Sequence, residues 1–262
     1  MFFRKNNDTS EIPSDPYQQL AEIYDFVMRH VDYPFWADYI EDIFRRFRVK
    51  PGMILELACG TGNLASILAT RGYRMTGVDR SAAMIAVAER KAQEAGQPIL
   101  YKTGDMAMPP MSGFFDAALC LYDSANYLMD LDAMQRMFES VKRRLQPDGI
   151  FVFDVCTENN SRRYFHRQTD QETGRDFSYV RRSEYLAEPR IQVNEFRLVF
   201  RRGEERQHHF ERHEQRIYPV ADIENTLLAS GFSLAGSFDG FTFSKASERS
   251  NRVHFVARHS EQ

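Results

Sequence analysis

Paired cysteines are missing from this chain, and their absence excludes a disulfide framework or a thiolate metal centre. Its three cysteines, Cys59, Cys120 and Cys156, stand apart in or beside apolar runs, which suits buried residues in a reducing cytoplasm. An apolar stretch of membrane-spanning length is also missing, and the first residues carry no apolar signal-peptide core, so no membrane partner is expected. An excess of charge is lacking too. Lys and Arg number 34 against 37 Asp and Glu, a net −3, which leaves no global field to gather nucleic acid. Internal repeats and low-complexity tracts do not occur. The expected partner is a small molecule, and the expected assembly is a monomer or homodimer.

What is present is length enough for a sizeable core and a regular alternation of short apolar runs with helical ones. Strands are expected at Met53 to Ala58, Tyr73 to Val78, Pro98 to Lys102, Phe115 to Leu121 and Ile150 to Val155. Helices are expected near 63–70, from an N-cap at Ser81 to about Ala95, and near 132–145, stopping before Pro147-Asp-Gly149. Before this core, Tyr17 to Arg48 carries apolar residues at helical spacing and reads as two helices broken at Pro34. After it the period becomes two. Phe177 to Leu186, Ile191 to Phe200 and His208 to Ile217 read as an antiparallel meander, and a helix at Ala221 to Ser230 with strands at 232–237 and 252–258 resumes the first pattern. The expected fold class is therefore α/β, a doubly wound Rossmann-like sheet with an inserted antiparallel β-meander. Residues 17–157 and 219–262 would form the core, 158–218 the insert that caps the substrate, and 1–16 a flexible N-terminus.

In an open α/β sheet the ligand crevice lies beyond the carboxyl ends of the strands, so residues just after each strand come first. The first such turn is Ala58-Cys-Gly-Thr-Gly-Asn63. Gly60 and Gly62 permit unusual backbone angles and close approach of a ligand, and the following helix start offers free amides. The sequence from Gly60 to Ala65 also fits the dinucleotide pattern G-x-G-x-x-A, which keeps a nicotinamide-dependent oxidoreductase open as an alternative. Glu56 separates the two, because a carboxylate beneath the loop works against a pyrophosphate and suits a cation. S-adenosylmethionine carries a sulfonium and an ammonium. Asp79, ending the second strand, can accept from both ribose hydroxyls, and after the third strand Asp105 can accept from an adenine amino group while Met106 packs on the purine.

The strings Ile54-Leu-Glu-Leu-Ala-Cys-Gly-Thr-Gly-Asn63, Gly72-Tyr-Arg-Met-Thr-Gly-Val-Asp-Arg-Ser81 and Gly104-Asp-Met106 resemble the successive cofactor motifs of class I S-adenosylmethionine-dependent methyltransferases. The flanks resemble their bacterial small-molecule branch, through Leu20-Ala-Glu-Ile-Tyr-Asp25, Val31-Asp-Tyr33 with Trp36, and Leu121-Tyr-Asp-Ser-Ala-Asn-Tyr-Leu128. The resemblance implies that Tyr24, Tyr33 and Trp36 close over the cofactor, and that Ala58, Cys59 and Gly60 line its methionine part. It further implies that Asp79 and Arg80 meet ribose and adenine, and Asp105 and Met106 the adenine. Thr61, Gly62, Met84, Leu121 and Tyr122 complete the expected cofactor set. Aromatic residues at helical spacing also suit plain core packing, which is the competing reading of Tyr24, Tyr33 and Trp36.

A sulfonium methyl is already activated, so the protein need only align an acceptor lone pair and, where necessary, remove a proton. Asp123, Asn126 and Tyr127 after the fourth strand are the acceptor-facing candidates, with His213 or Tyr218 pointing down from the insert. Relatives that methylate amino-sugars place a His near this point, where this sequence has Tyr127 instead. No Asn-Pro-Pro-aromatic sequence follows the fourth strand and no cysteine follows a proline, which disfavours methylation of nucleic-acid bases. Transfer to a nitrogen or oxygen atom of a small molecule is expected, with a non-catalytic S-adenosylmethionine-binding protein as a further alternative. Arg181, Arg212 and their neighbours are interleaved with Glu195, Glu211 and Glu214 and read as a solvated mixed-charge face. His208, His209 and His213 lack a completing carboxylate set, so no metal is expected.

Overall fold

A computed structural model of the chain describes residues 11–259. The chain begins with β1 (Ile12–Ser14), makes a 3-10 turn at Leu20–Glu22 and a single helical turn α1 (Tyr24–Val27), and continues into α2 (Tyr33–Arg46). There follow β2 (Met53–Leu57), α3 (Asn63–Thr70), β3 (Arg74–Asp79), α4 (Ala82–Glu94), β4 (Leu100–Thr103) and β5 (Phe115–Cys120). A 3-10 turn at Ser124–Tyr127 leads to α5 (Leu131–Lys142) and β6 (Leu145–Cys156), then α6 (Glu158–Asn160) and a π turn at Ser161–Phe165. The next four strands are β7 (Gln168–Thr173), β8 (Phe177–Leu186), β9 (Ile191–Arg202) and β10 (Glu205–Arg216). The described chain closes with α7 (Val220–Ala229), β11 (Ser233–Asp239) and β12 (Arg252–Arg258).

Seven strands form one sheet in the order β11-β12-β6-β5-β2-β3-β4, with β12 antiparallel to its neighbours. Its central strands are buried on both faces, which is why they read as unbroken apolar runs. Met134, Phe138, Ile223 and Leu227 of α5 and α7 cover one face, and Ile40, Ile43, Leu64, Leu68 and Ile85 of α2, α3 and α4 cover the other. The rings of Phe153 and Phe255 stack across β6 and β12 at 4.8 Å in the first of these layers.

The second sheet runs β1-β10-β9-β8-β7, antiparallel except for β1. Alternation along β10 is strict: His209, Glu211, His213 and Gln215 are buried on its inner face while Arg212 is exposed. That inner face is divided. Tyr179, Phe196, Leu198 and Phe200 form an apolar end packed on Leu20, Ile23, Val27 and Met28. Each such buried side chain contributes roughly 1.5–3 kcal/mol, which holds in place helical turns too short to persist alone. Ser183, Gln192, Asn194, His213 and Gln215 form a buried polar end.

Three expectations are corrected. Residues 1–10 of the expected flexible N-terminus lie outside the described residues, but Ile12–Ser14 are ordered by pairing with His209 to Glu211 of β10. Pro34 begins α2 rather than breaking a helix, because Asp32 caps it by accepting from the Phe35 amide at 2.9 Å and a first-turn proline forfeits no hydrogen bond. Before it there are only short turns. β7 was not anticipated, since Gln-Thr-Asp-Gln-Glu-Thr lacks the apolar alternation of a half-buried strand and lies at an edge. Among the described residues no helix is long and apolar enough to cross a membrane.

Candidate active site

Strand order reverses at β2, between β3 and β5, so the carboxyl ends of these strands open onto a crevice. A cavity of about 990 Å³ occupies it, bounded above by residues 15–18 and the polar end of the second sheet. Tyr24, Tyr33 and Trp36 line it from the N-terminal helices, and Glu56, Ala58, Cys59, Gly60 and Thr61 from the first turn. Asp79, Arg80, Met84, Asp105 and Met106 line it beyond β3 and β4, and Leu121, Tyr122, Asp123, Tyr127 and His213 complete the predicted set.

Two predicted residues do not reach the cavity. Gly62 adopts φ +74 at the start of α3, and a Cβ there would come within 2.2 Å of the Tyr101 hydroxyl, so this glycine packs the loop on the sheet. Asn126 is wholly buried. Its amide donates to the Arg216 carbonyl at 2.8 Å and the Cys156 carbonyl at 3.4 Å and accepts from the Cys156 amide at 3.0 Å, so it ties the 124–127 turn to β6 and β10 and presents nothing to an acceptor. Tyr218 likewise gives its hydroxyl to the Leu128 carbonyl and does not line the cavity. Asp123 lines the cavity, but both its oxygens are taken, by Arg252 at 2.7 Å and by Gln215 at 2.7 Å.

Glu56 is buried beneath the glycine turn and its Oε2 has no hydrogen-bond partner. Burial, with the neighbouring Asp79 carboxylate adding to it, raises its pKa to about 8. Such a group is stabilised by an incoming cation. Asp79 accepts from the amides of Gly60 at 2.9 Å and Ser81 at 2.8 Å, one on each oxygen, which leaves lone pairs on both for a diol. Gly60, at φ +55, has only Tyr24 within 4 Å of where a Cβ would stand, at 3.8 Å, so a Cβ would intrude on the cavity. Asp25 fastens α1 to this turn by accepting from Thr61, from Asn63 at 2.9 Å and from Lys91 at 2.6 Å.

After β5 the backbone turns through two left-handed residues, Tyr122 at φ +62 and Asp123 at φ +52. Such angles cost on the order of 1–3 kcal/mol each and persist only where the surroundings impose them. Arg252 supplies the constraint: it pairs with Asp123 and Asp154 and lies 5.2 Å from the Trp36 ring centroid and 5.3 Å from that of Tyr122. The Asp123 amide also donates to Asp154 at 3.0 Å.

A pocket at the topological switch point, with a buried carboxylate whose Oε2 has no partner under a glycine turn and spare acceptors at the next strand end, is an arrangement suited to a class I methyl-transfer fold. The comparisons agree. A methyltransferase-domain family model matches residues 54–149. The methyltransferase-family protein YqeM of Bacillus subtilis (strain 168) is 34% identical over 246 residues, 94% of this chain and 98% of that one. A dTDP-3-amino-3,6-dideoxy-alpha-D-glucopyranose N,N-dimethyltransferase of Streptomyces fradiae is 28% identical over 82% of this chain and 84% of its own length. The crystal structure of an S-adenosylmethionine-dependent methyltransferase from Clostridium acetobutylicum ATCC 824 superposes with a TM-score of 0.80 at 25% identity, covering 93% of this chain and 98% of that one. The chain belongs to the S-adenosylmethionine-dependent class I methyltransferases and is an enzyme of that family.

The residues present fit the cofactor: the orphaned Glu56 oxygen suits its cationic end and the spare Asp79 lone pairs suit its ribose diol. The dinucleotide reading of the loop is not favoured, since Glu56 would oppose a pyrophosphate. Among the described residues no cluster of His, Cys, Asp and Glu could hold a metal ion.

Sequence reasoning missed Tyr17, Asp154, Glu211 and Arg252. Tyr17 stands alone in a polar stretch and carries no pattern. Glu211 was read as part of a solvated face, yet it is 0% exposed. The alternation of His209, Glu211, His213, Gln215 and Ile217 was the available signal, because it puts Glu211 on the same face as Ile217.

Proposed function

We propose that this enzyme transfers the methyl group of S-adenosylmethionine to a nitrogen or oxygen atom of a small polar molecule held between the carboxyl edge of the seven-stranded sheet and the polar end of the second sheet. The observation that carries the reading is the buried Glu56 carboxylate with its free oxygen, set under a turn open to the cavity. Bound there, S-adenosylmethionine supplies a methyl group already activated on a sulfonium sulfur. Glu56 would neutralise the ammonium end and Asp79 would hold the ribose. Arg80, Met84, Asp105 and Met106 enclose the adenine. Tyr24, Tyr33, Trp36, Leu121 and Tyr122 exclude water around the reacting carbon, where desolvation strengthens every electrostatic contact.

Residues 158–218 act as the substrate cap on a core formed by 17–157 and 219–262. Asn160 and Asn194 line the cavity with neutral amides from that cap, and Tyr164 and Phe165 offer ring faces. This lining suits a hydroxylated or aminated small molecule better than a nucleic acid, whose phosphates call for unpaired cations; Arg181, the cap's cation in the cavity, is paired with Asp170. The buried, unpaired cysteines are compatible with the cytoplasm. The test is release of S-adenosylhomocysteine from S-adenosylmethionine with panels of small hydroxyl and amine compounds, oligonucleotides and peptides. Turnover on small molecules is expected; turnover confined to oligonucleotides or peptides would contradict the reading.

A further inference from the structure

We propose that His213 is the base that deprotonates the methyl acceptor through Tyr127, and that Glu211 is the positioning residue that fixes His213 in the tautomer this requires. The inference rests on the methyl-transfer reading above and adds to it that the acceptor arrives carrying a proton, as a hydroxyl or an ammonium.

The geometry assigns each part. Glu211 is fully buried and accepts from three backbone amides, Tyr17 at 2.8 Å, Gln19 at 2.6 Å and Leu20 at 3.0 Å, while one of its oxygens lies 3.1 Å from His213 Nε2. A carboxyl that accepts from three amides acts as an ionised acceptor, so Nε2 of His213 keeps its proton and Nδ1 presents a lone pair. Nδ1 faces the Tyr127 hydroxyl at 3.3 Å, and that hydroxyl lies 2.6 Å from the hydroxyl of Tyr17. With Nδ1 as acceptor, Tyr127 donates to His213 and Tyr17 donates to Tyr127. Tyr17, Tyr127 and His213 all line the cavity.

Tyr127 is not itself the base. Burial pushes its hydroxyl well above the ordinary tyrosine range, as it does for Tyr17, so neither rests as a phenolate and each conducts a proton as a neutral hydroxyl. The balance is complete without a further reagent. The acceptor's proton passes to the Tyr127 oxygen and the proton of Tyr127 to His213 Nδ1, ahead of attack for an ammonium, which has no lone pair until then, and together with attack for a hydroxyl; the lone pair bonds to the methyl carbon and the carbon–sulfur pair stays on sulfur. The resulting imidazolium lies against the Glu211 carboxylate. The titratable groups facing the ring are Glu211 on its own strand, Tyr17 from the N-terminal segment and Tyr127 from the 124–127 turn, with Asp123 acting on both tyrosines. Phe196 of β9 packs its ring against His213 at 5.1 Å.

The experiment uses the full chain with 15N-labelled histidine, saturated with S-adenosylhomocysteine, and reads the tautomer of His213 from its two-bond and three-bond nitrogen–proton correlations. The Nε2–H form is expected in the unsubstituted protein, and Glu211→Gln is expected to lose that single form. Should Glu211→Gln fail to fold, Tyr127→Phe keeps the Glu211 pair and is expected to retain the tautomer while moving the Nδ1 resonance toward its unbonded position. An Nδ1–H tautomer in the unsubstituted protein, or His213 resonances unmoved by Tyr127→Phe, would overturn the relay. If the protein fails to bind S-adenosylhomocysteine at all, the methyl-transfer reading fails; if it binds with the other tautomer, the relay alone fails.

Discussion

Along β2, β3, β4 and β5 the cavity wall consists of residues at or just beyond a strand end, whereas along β9 and β10 it consists of residues in the middle of strands. The first wall is local. Glu56, Gly60, Asp79 and Asp105 each stand at or beside a strand-to-loop transition, and the carboxylates of Asp79 and Asp105 are set by neighbouring amides. The second is assembled by register: His213 lies opposite Asn194, which lies opposite Ser183, and Glu211 meets amides of residues 17, 19 and 20 from the far end of the chain. Donor binding can therefore be encoded in short motifs, while the acceptor pocket depends on how long strands pair.

Substitutions in one wall should leave the other intact, and the sharpest contrast lies within the glycine turn. Gly60→Val fills the cavity side and is expected to reduce S-adenosylhomocysteine affinity by more than about 100-fold, the loss of a few kcal/mol of binding. Gly62→Ala instead meets Tyr101 and is expected to lower the melting temperature first. Equal losses of binding and stability in both variants would erase the distinction. In the second wall, His213→Phe should slow methyl transfer by about 10²–10⁴-fold, the range of general-base catalysis, while S-adenosylhomocysteine affinity stays within about threefold. Loss of affinity parallel to rate would merge the two walls into one site.

Asn126→Ala belongs to neither wall. It strips partners from the Cys156 amide and the Arg216 carbonyl and should cost about 2–3 kcal/mol, each buried orphan costing roughly 1–3, read as a melting temperature lower by about 5–10 °C. A pH-dependent effect concerns Glu56. Its folded-state pKa of about 8 lies above the ordinary 4.5, so the stability associated with its neutral form is present at acid pH and lost as pH rises toward 8. Glu56→Gln, always neutral, should therefore melt above the parent without ligand, by a margin that widens from about pH 5 to about pH 8, while losing the stabilisation given by S-adenosylhomocysteine. Parallel melting curves across that range would contradict the assignment of Glu56.

The same division explains what the sequence made legible. The parallel strands and their terminal acids were readable because burial on both faces makes apolar runs and ligand contact sits at the strand ends. The meander was readable from its period of two, within a few residues at each end. Asn126 was misread because an amide after the fourth strand suits an acceptor contact as well as a turn, and only the carbonyl of Arg216, 90 residues on, decides between them. Glu211 was misread because charge in an alternating strand usually faces water, and its burial depends on amides about 190 residues away in sequence. Tyr122 and Asp123 gave no sign of left-handed backbone, since the pair that imposes it, Asp154 and Arg252, comes from β6 and β12.

The central claim is that the turn above Glu56 holds the methyl donor. Calorimetric titration of the full chain with S-adenosylhomocysteine, alongside an identical titration with NAD, tests it most directly. One S-adenosylhomocysteine per chain with a dissociation constant on the order of micromolar, and no heat from NAD, is the predicted result. Binding of NAD in preference to S-adenosylhomocysteine, or S-adenosylhomocysteine affinity unchanged by Gly60→Val, would contradict it.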